Sequence, residues 1–353
     1  MMVERASSPK SRDDLRRGER VQHPGPEAGN GPEERRSANF AFAKGLSILV
    51  VMVGHFCPIP NVWVIVTVGL IIFSATSGYF TWSRYPHHVD YKRYWSRKCR
   101  RLLPSLFVVY LFLFIVFLMQ KRSNLWTWQT IVNIFGMNGF LNWLGIHNNS
   151  PYGAGMWFLT LLLLFYASYP VLKKTYSNKI SSIITTIIAL ILFFIFHKTI
   201  DCGHALWMTS SGFFMGMMMA KNNIRISKTQ SILMTSAACV GILFLHYYLN
   251  YDGVNYIFIL AIACGILLYL QEINLNSHLK YIASLLSGIL LELYLIHPYL
   301  YLSISQNMLV NQVISILFVL IVGSMLGFIV KKLNQQVFQT LVIPRRKPYL
   351  FHR

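Results

Sequence analysis

An all-α, polytopic membrane protein is what this sequence predicts, and two observations carry that prediction. Hydrophobic residues make up 54% of the 353, charged ones only 12%, and the mean hydropathy is +0.47. That balance is too apolar for a soluble domain of this length. The apolar residues also fall into runs close to the roughly 20 residues that cross a bilayer as a helix. Basic residues gather in the short connections between those runs. The formal charge of +20 therefore reads as membrane topology and argues against a nucleic-acid partner.

Taken in order, residues 1–37 are rich in Arg, Glu, Gly, Pro and Ser, hold seven of the twelve acidic residues, and contain no apolar run. They read as a disordered polar tail. They have no apolar h-region, so the first span is expected to stay as an uncleaved anchor. A membrane domain over 38–333 follows, with ten spans expected near 39–59, 62–82, 103–120, 155–172, 180–197, 205–220, 230–250, 254–270, 281–301 and 308–330. The stretch 131–146 contains Asn133, Asn138 and Asn142; it is too polar to span and reads as re-entrant or interfacial. Residues 334–353 form a basic tail. With the N-terminus inside, the inner connections after the first tail hold 20 Lys and Arg, and the outer ones only Lys121, Arg122 and Lys198. The positive-inside rule then puts both termini, and Arg97 and Arg100, in the cytoplasm.

No repeat of 20 to 50 residues is evident. The cysteines at 57, 99, 202, 239 and 264 lack C-x-x-C spacing, so neither zinc nor a redox pair is expected, and no metal site is assigned. Cys57 and Cys202 both fall near the outer face. They pair in an oxidising compartment or remain buried thiols, and the usual habits of cysteine favour the second.

Polar groups inside apolar runs are costly, so they mark the chemistry. His55 lies eleven residues beyond Lys44, about 16 Å up a helix axis and past mid-membrane. A packing histidine is the competing reading, and Gly54 beside it permits close approach by a helix or a substrate. The small, hydroxylated stretch Phe73–Tyr79, with Ser77 in it, either packs tightly or lines a cavity. Gly212 and Gly216 have small-xxx-small spacing and read as a helix contact. Arg97 and Arg100 are three apart and share a face if helical. Placed before Pro104 they oppose a helix macrodipole, which an anion bound there would offset. A plain topological anchor is the alternative. Glu292 is the only carboxylate within an expected span, so it needs a partner or a wet cavity. His297 follows five residues later, about 140° around the helix. Asp201 and His204 read as loop solvation.

Together these residues resemble the acyltransferase-3 family of membrane-bound acyltransferases, over about 39–328. The likeness is carried by Lys44-Gly45 through His55-Phe56, Phe73 with Ser77-Gly78-Tyr79, and Arg97-x-x-Arg100-Arg101-Leu-Leu-Pro104. It continues through Met156-Trp157-Phe158-Leu159 to Phe165-Tyr166 and Pro170, and through Leu291–His297. Many members carry an acidic residue four or five positions after the Trp157 equivalent, where this chain has Leu161 and Leu162.

The resemblance implies transfer of an acyl group, usually acetyl, from cytoplasmic acetyl-CoA to a hydroxyl of a cell-surface saccharide or its lipid-linked precursor. It implies no tightly bound cofactor, contacts with membrane lipids, and a multi-pass place in a bacterial inner membrane. On this reading Arg97, Arg100 and Arg101 hold CoA phosphates and His55 is the general base. Glu292 orients His55, and Ser77, Trp157 and His297 contact substrate. A non-polymer acceptor such as a macrolide stays open, as does a lipid or glycan transporter without chemistry; the absence of an inverted repeat argues against the transporter.

Overall fold

The computed structural model describes residues 32–57, 62–85, 89–200, 205–249 and 255–342, and no strand occurs among them. The helices in chain order are α1 (Pro32–Phe56), α2 (Val62–Arg84), α3 (Tyr91–Met119), α4 (Trp128–Ile134), α5 (Asn138–Trp143) and α6 (Trp157–Thr175). They continue as α7 (Lys179–Thr199), α8 (Leu206–Asn222), α9 (Lys228–Tyr248), α10 (Asn255–Glu272), α11 (Ser277–Ile296) and α12 (Met308–Val342). A 3₁₀ turn, His297–Tyr299, closes α11.

Each of the ten expected runs falls on one of these long helices. Eight of them are long and apolar enough to cross a membrane. The two outside that count are α8, with only 17 residues, and α6, whose last turn carries Lys173 and Lys174. Several helices begin where a side chain satisfies a first-turn N–H. Asp90 accepts from Arg93, Asn178 from Ser181 and Asn276 from Leu279. Ser227 and Gln230 form a reciprocal capping box.

Three expectations are corrected. Residues 32–37 belong to α1 rather than to a polar tail: Arg36 donates to Tyr79 Oη at 3.1 Å and to Asn223 Oδ1 at 2.9 Å, and Arg35 donates to Asn274. At the other end, α12 runs through to Val342, so 334–342 is helix. Pro104 lies inside α3, which starts at Tyr91. The Arg97–Arg101 cluster is therefore mid-helix, and the macrodipole argument for an anion there lapses. The polar stretch 131–146 holds α4 and α5, two short helices joined by a turn. Asp201, Cys202 and His204 lie outside the described residues, while Cys57 is a buried free thiol.

The packing centre is α2. On one side it meets α8 at backbone contact. A Cβ on Gly212 would lie 2.6 Å from the Ile71 carbonyl oxygen, and one on Gly216 or Gly78 would overlap the carbonyl oxygens of Ala75 and Phe213. Without a hydrophobic driving force between helices in lipid, such close approach is what holds them together. On its other side α2 meets α1, where Gly54 makes room for Val66. Gly54 thus serves a helix contact. Gly216→Leu is expected to destabilise the protein by about 3 kcal/mol or more. Gly288→Ala, whose added carbon meets nothing within 4 Å, should leave stability within about 0.5 kcal/mol. Thermal unfolding in detergent distinguishes the two.

Candidate active site

One end of the bundle collects cations. A cavity of about 420 Å³ lies between α1, α2, α3, α6 and α11, lined by Lys44, Arg84, Lys98, Arg101, Ser77, Thr81, Tyr166 and Ser287 among others. Lys44 is buried; its Nζ donates to Ser77 Oγ at 3.0 Å and sits 4.4 Å from the centre of the Phe73 ring. Lys98 Nζ lies 3.6 Å over the Tyr166 ring, with Thr81 Oγ1 at 3.5 Å. Aromatic faces and hydroxyls solvate these ammonium groups but do not neutralise them. No carboxylate is among the lining residues. Four basic side chains line one polar cavity, a lining whose chemistry suits an anion.

A second cavity of about 1130 Å³ opens between α3, α11 and α12 and shares Arg101, Ser287 and Leu290 with the first. Glu292 and Ser105 lie in its wall, with Lys331, Asn334 and Gln335 at its cation-rich end. The buried Glu292 Oε1 accepts the Ser105 hydroxyl at 2.5 Å. This bond ties α3 to α11.

Next to the cation cavity, and sharing Lys44, Arg101, Tyr166 and Leu290 with it, is a narrow, mostly apolar neck. A void of about 30 Å³ is lined by Lys44, Arg101, Phe73, Leu159, Leu291 and Tyr294. Beyond Tyr294 stands His297, its ring centre 5.8 Å away. The His297 ring centre is in turn 5.1 Å from that of His55. Lys44 and His55 share α1 eleven residues apart, three turns and about 20°, so they lie on one face separated by about 16 Å along the axis. The α1 helix thus carries a group of each end of the site.

The histidine end is built by segments that connect spans. Gln312 of α12 donates to the Phe56 carbonyl at 3.0 Å. Tyr294 donates its hydroxyl to the Gly155 carbonyl at 2.7 Å, and Tyr299 Oη accepts the Gly153 N–H at 2.7 Å. That glycine loop is held from beneath. Asn138 donates to the Gly153 carbonyl, and Asn133 donates to the Tyr152 carbonyl and to Asn148. Gly153, at φ +98°, would push a Cβ to 2.8 Å from Asn133 Oδ1. The asparagines that make this stretch unfit to span therefore fold it into a cap.

The sequence-derived candidates are distributed as follows. His55 and His297 come together. The Glu292 carboxylate accepts the Ser105 hydroxyl, and the ring standing against His55 is that of His297. Ser77 lies in the cation cavity beside Lys44. Trp157 is buried at the start of α6, 5.9 Å from the Phe158 ring centre, and lines none of the three cavities. Within the basic cluster Arg101 lines all three cavities. Arg97 and Arg100 line none; Arg97 lies 6.0 Å from the Tyr85 ring centre. The cations of this cavity that were not among the expected anion ligands are Lys44, Lys98 and Arg84. A signal existed for Lys98, which sits four residues from both Tyr94 and Leu102 on the buried stripe of α3.

The helical bundle thus holds a cavity lined by basic side chains at one end and two neighbouring imidazole rings at the other. The chain matches the acyltransferase-3 family model, described as an acyltransferase domain, over residues 38–332, and it belongs to that family. Neither a curated relative nor a solved structure matches it. For the anion site the expected outcome is thermal stabilisation by inorganic pyrophosphate, up to about 2.7 kcal/mol at a hundred times its dissociation constant. Lys98→Met and Arg101→Gln should remove most of that stabilisation and Arg97→Gln should not, as read from unfolding curves at matched ionic strength.

Proposed function

We propose that this membrane acyltransferase moves an acyl group, in the simplest case acetyl, from acyl-CoA at the cation-rich end to a saccharide hydroxyl at the histidine end. The observation that carries the proposal is the anion cavity and the histidine pair set about 16 Å apart on one face of α1. Phosphates of CoA meet Lys44, Lys98, Arg84 and Arg101, where guanidinium forks and ammonium charges complement them. The thioester arm follows the neck, with the side chains of Leu159 and Leu291 moving aside to admit it. Orientation follows the positive-inside rule: the cation end faces the cytoplasm and His55 the opposite side. The family resemblance supplies the saccharide or lipid-linked glycan acceptor and the bacterial cytoplasmic membrane.

At the far end His55 accepts the proton of the acceptor hydroxyl as its oxygen attacks the thioester carbonyl. Collapse of the tetrahedral adduct breaks the carbon–sulfur bond, and the departing CoA thiolate recovers that proton from His55. The products are an ester and free CoA, with no net change of charge on the enzyme. Glu292 acts in this scheme by holding α3 against α11 through Ser105, which keeps Arg101 at the junction of the cavities.

Purified protein given labelled acetyl-CoA and membrane glycan extract should transfer label to an alkali-labile ester. His55→Ala should lower that transfer at least about 10²-fold in a protein that still inserts and folds; undiminished transfer by the folded variant would remove His55 from the chemistry. Glu292→Gln keeps an acceptor for the Ser105 hydroxyl, so transfer should stay within a few fold of the parent. Glu292→Leu leaves that hydroxyl without its partner and should cost about 1–3 kcal/mol in stability. A Gln variant that folds normally and transfers nothing would assign the carboxylate to catalysis instead.

A further inference from the structure

His297 presents a group that the scheme above leaves unused. Its side chain is fully buried, and its Nδ1 lies 2.7 Å from the Tyr294 carbonyl oxygen. A carbonyl only accepts, so Nδ1 carries the hydrogen, and the neutral ring keeps a lone pair on Nε2. That nitrogen has no hydrogen-bond partner among the described residues. A buried acceptor left unmatched costs free energy comparable to a lost hydrogen bond, so a donor is expected there. With less than 1 Å² of accessible surface, Nε2 is out of reach of a ligand unless neighbouring groups part. The polar ring standing against it is that of the exposed His55, 5.1 Å between centres and tilted by 53°. Ring centres 5.1 Å apart leave two ring nitrogens that turn toward each other within hydrogen-bond reach.

We infer that His297 is the positioning residue for His55: its Nε2 accepts the His55 N–H and fixes which nitrogen of His55 stays unprotonated. The chain of bonds then runs from the Tyr294 carbonyl through His297 to His55, whose second nitrogen faces the acceptor hydroxyl with its lone pair. This is the orienting part that a carboxylate plays in other nucleophile–base–orienter arrangements, filled here by a neutral imidazole. A neutral orienter suits the site, because a carboxylate in the same place would be a buried charge. The pairing stands on geometry alone, and only its consequence for catalysis rests on the acyl-transfer reading.

The test is made on the full chain labelled with ¹⁵N-histidine in lipid bilayers. Nitrogen shifts should report His297 as the Nδ1–H tautomer and His55 as one tautomer, with the two signals assigned through His297→Phe and His55→Ala. In His297→Phe the His55 signal should become a mixture of tautomers. Transfer should fall roughly 10²-fold in kcat with the KM for acetyl-CoA unchanged, and His297→Gln, whose carbonyl oxygen can still accept, should recover part of the loss. An unaltered His55 tautomer in a folded His297→Phe protein overturns the inference, whatever its activity. A lost tautomer preference with no transfer in the parent upholds the pairing and rejects the acyl-transfer reading instead.

Discussion

Everything in this fold follows from how few places a helical bundle in lipid offers a charged or unpaired polar group. Backbone groups are satisfied within each helix, so side chains alone decide where polarity collects. Here it collects at two depths. Lys44 is accepted only because α1 and α2 lie close enough for Ser77 to receive its hydrogen and for Phe73 to face it. That proximity depends on the small residues of α2 and α8, which bring three helices to near backbone contact. The glycines of α8 touch no cation, yet without them α2 would not hold Ser77 and Phe73 where Lys44 needs them.

The same constraint explains the division of labour within the basic cluster of α3. Arg97, Arg100 and Arg101 are all exposed, yet of the three only Arg101 lines the cavity, together with the half-buried Lys98. A helix that buries Tyr94, Leu102, Ser105 and Val109 must turn residues 98 and 101 toward the same neighbours. Lys98 tolerates this because its ammonium rests on the Tyr166 face. Cations gathered in this way repel one another, and an anion entering the cavity relieves that repulsion at the same time as it gains its own contacts. A site of this kind is selective for charge number as much as for shape.

Most of the helical framework was legible in the sequence, because a run of about 20 apolar residues has one outcome in lipid. Its ends were less so: residues 32–37 are polar and read as tail, but Arg35 and Arg36 find side-chain acceptors on neighbouring segments, which composition does not reveal. The candidate site was half legible. His55 and His297 stood out as titratable groups in apolar runs, but their proximity depends on how α1 and α11 are rotated, information that lies in pairwise packing. Glu292 stood out for the same reason, and its hydrogen bond to Ser105 was not foreseen. A buried carboxylate needs a hydrogen-bond donor, and the sequence offered no way to prefer Ser105 over an imidazole. For Arg97 and Arg100 the i, i+3 rule was satisfied equally by Lys98 and Arg101. Only the buried stripe of α3 separates the two pairs.

The stretch too polar to span the membrane turns out to determine the histidine end. Asn133 and Asn138 bind the carbonyls of Tyr152 and Gly153; the loop so held presents Gly153 N–H to Tyr299 and the Gly155 carbonyl to Tyr294. Those two tyrosines bracket His297, and the Tyr294 carbonyl fixes its ring. Gly153 has to be glycine here, since its positive φ and the nearby Asn133 side chain exclude a Cβ. An element with no place in the hydrophobic pattern therefore governs the orientation of a buried imidazole through two tyrosines and a backbone carbonyl. The reason is physical: apolar contacts slide, whereas a buried hydrogen-bond network has one register. The buried imidazole of His297 is held by such a network, on the Tyr294 carbonyl, and not only by the apolar helices that surround it.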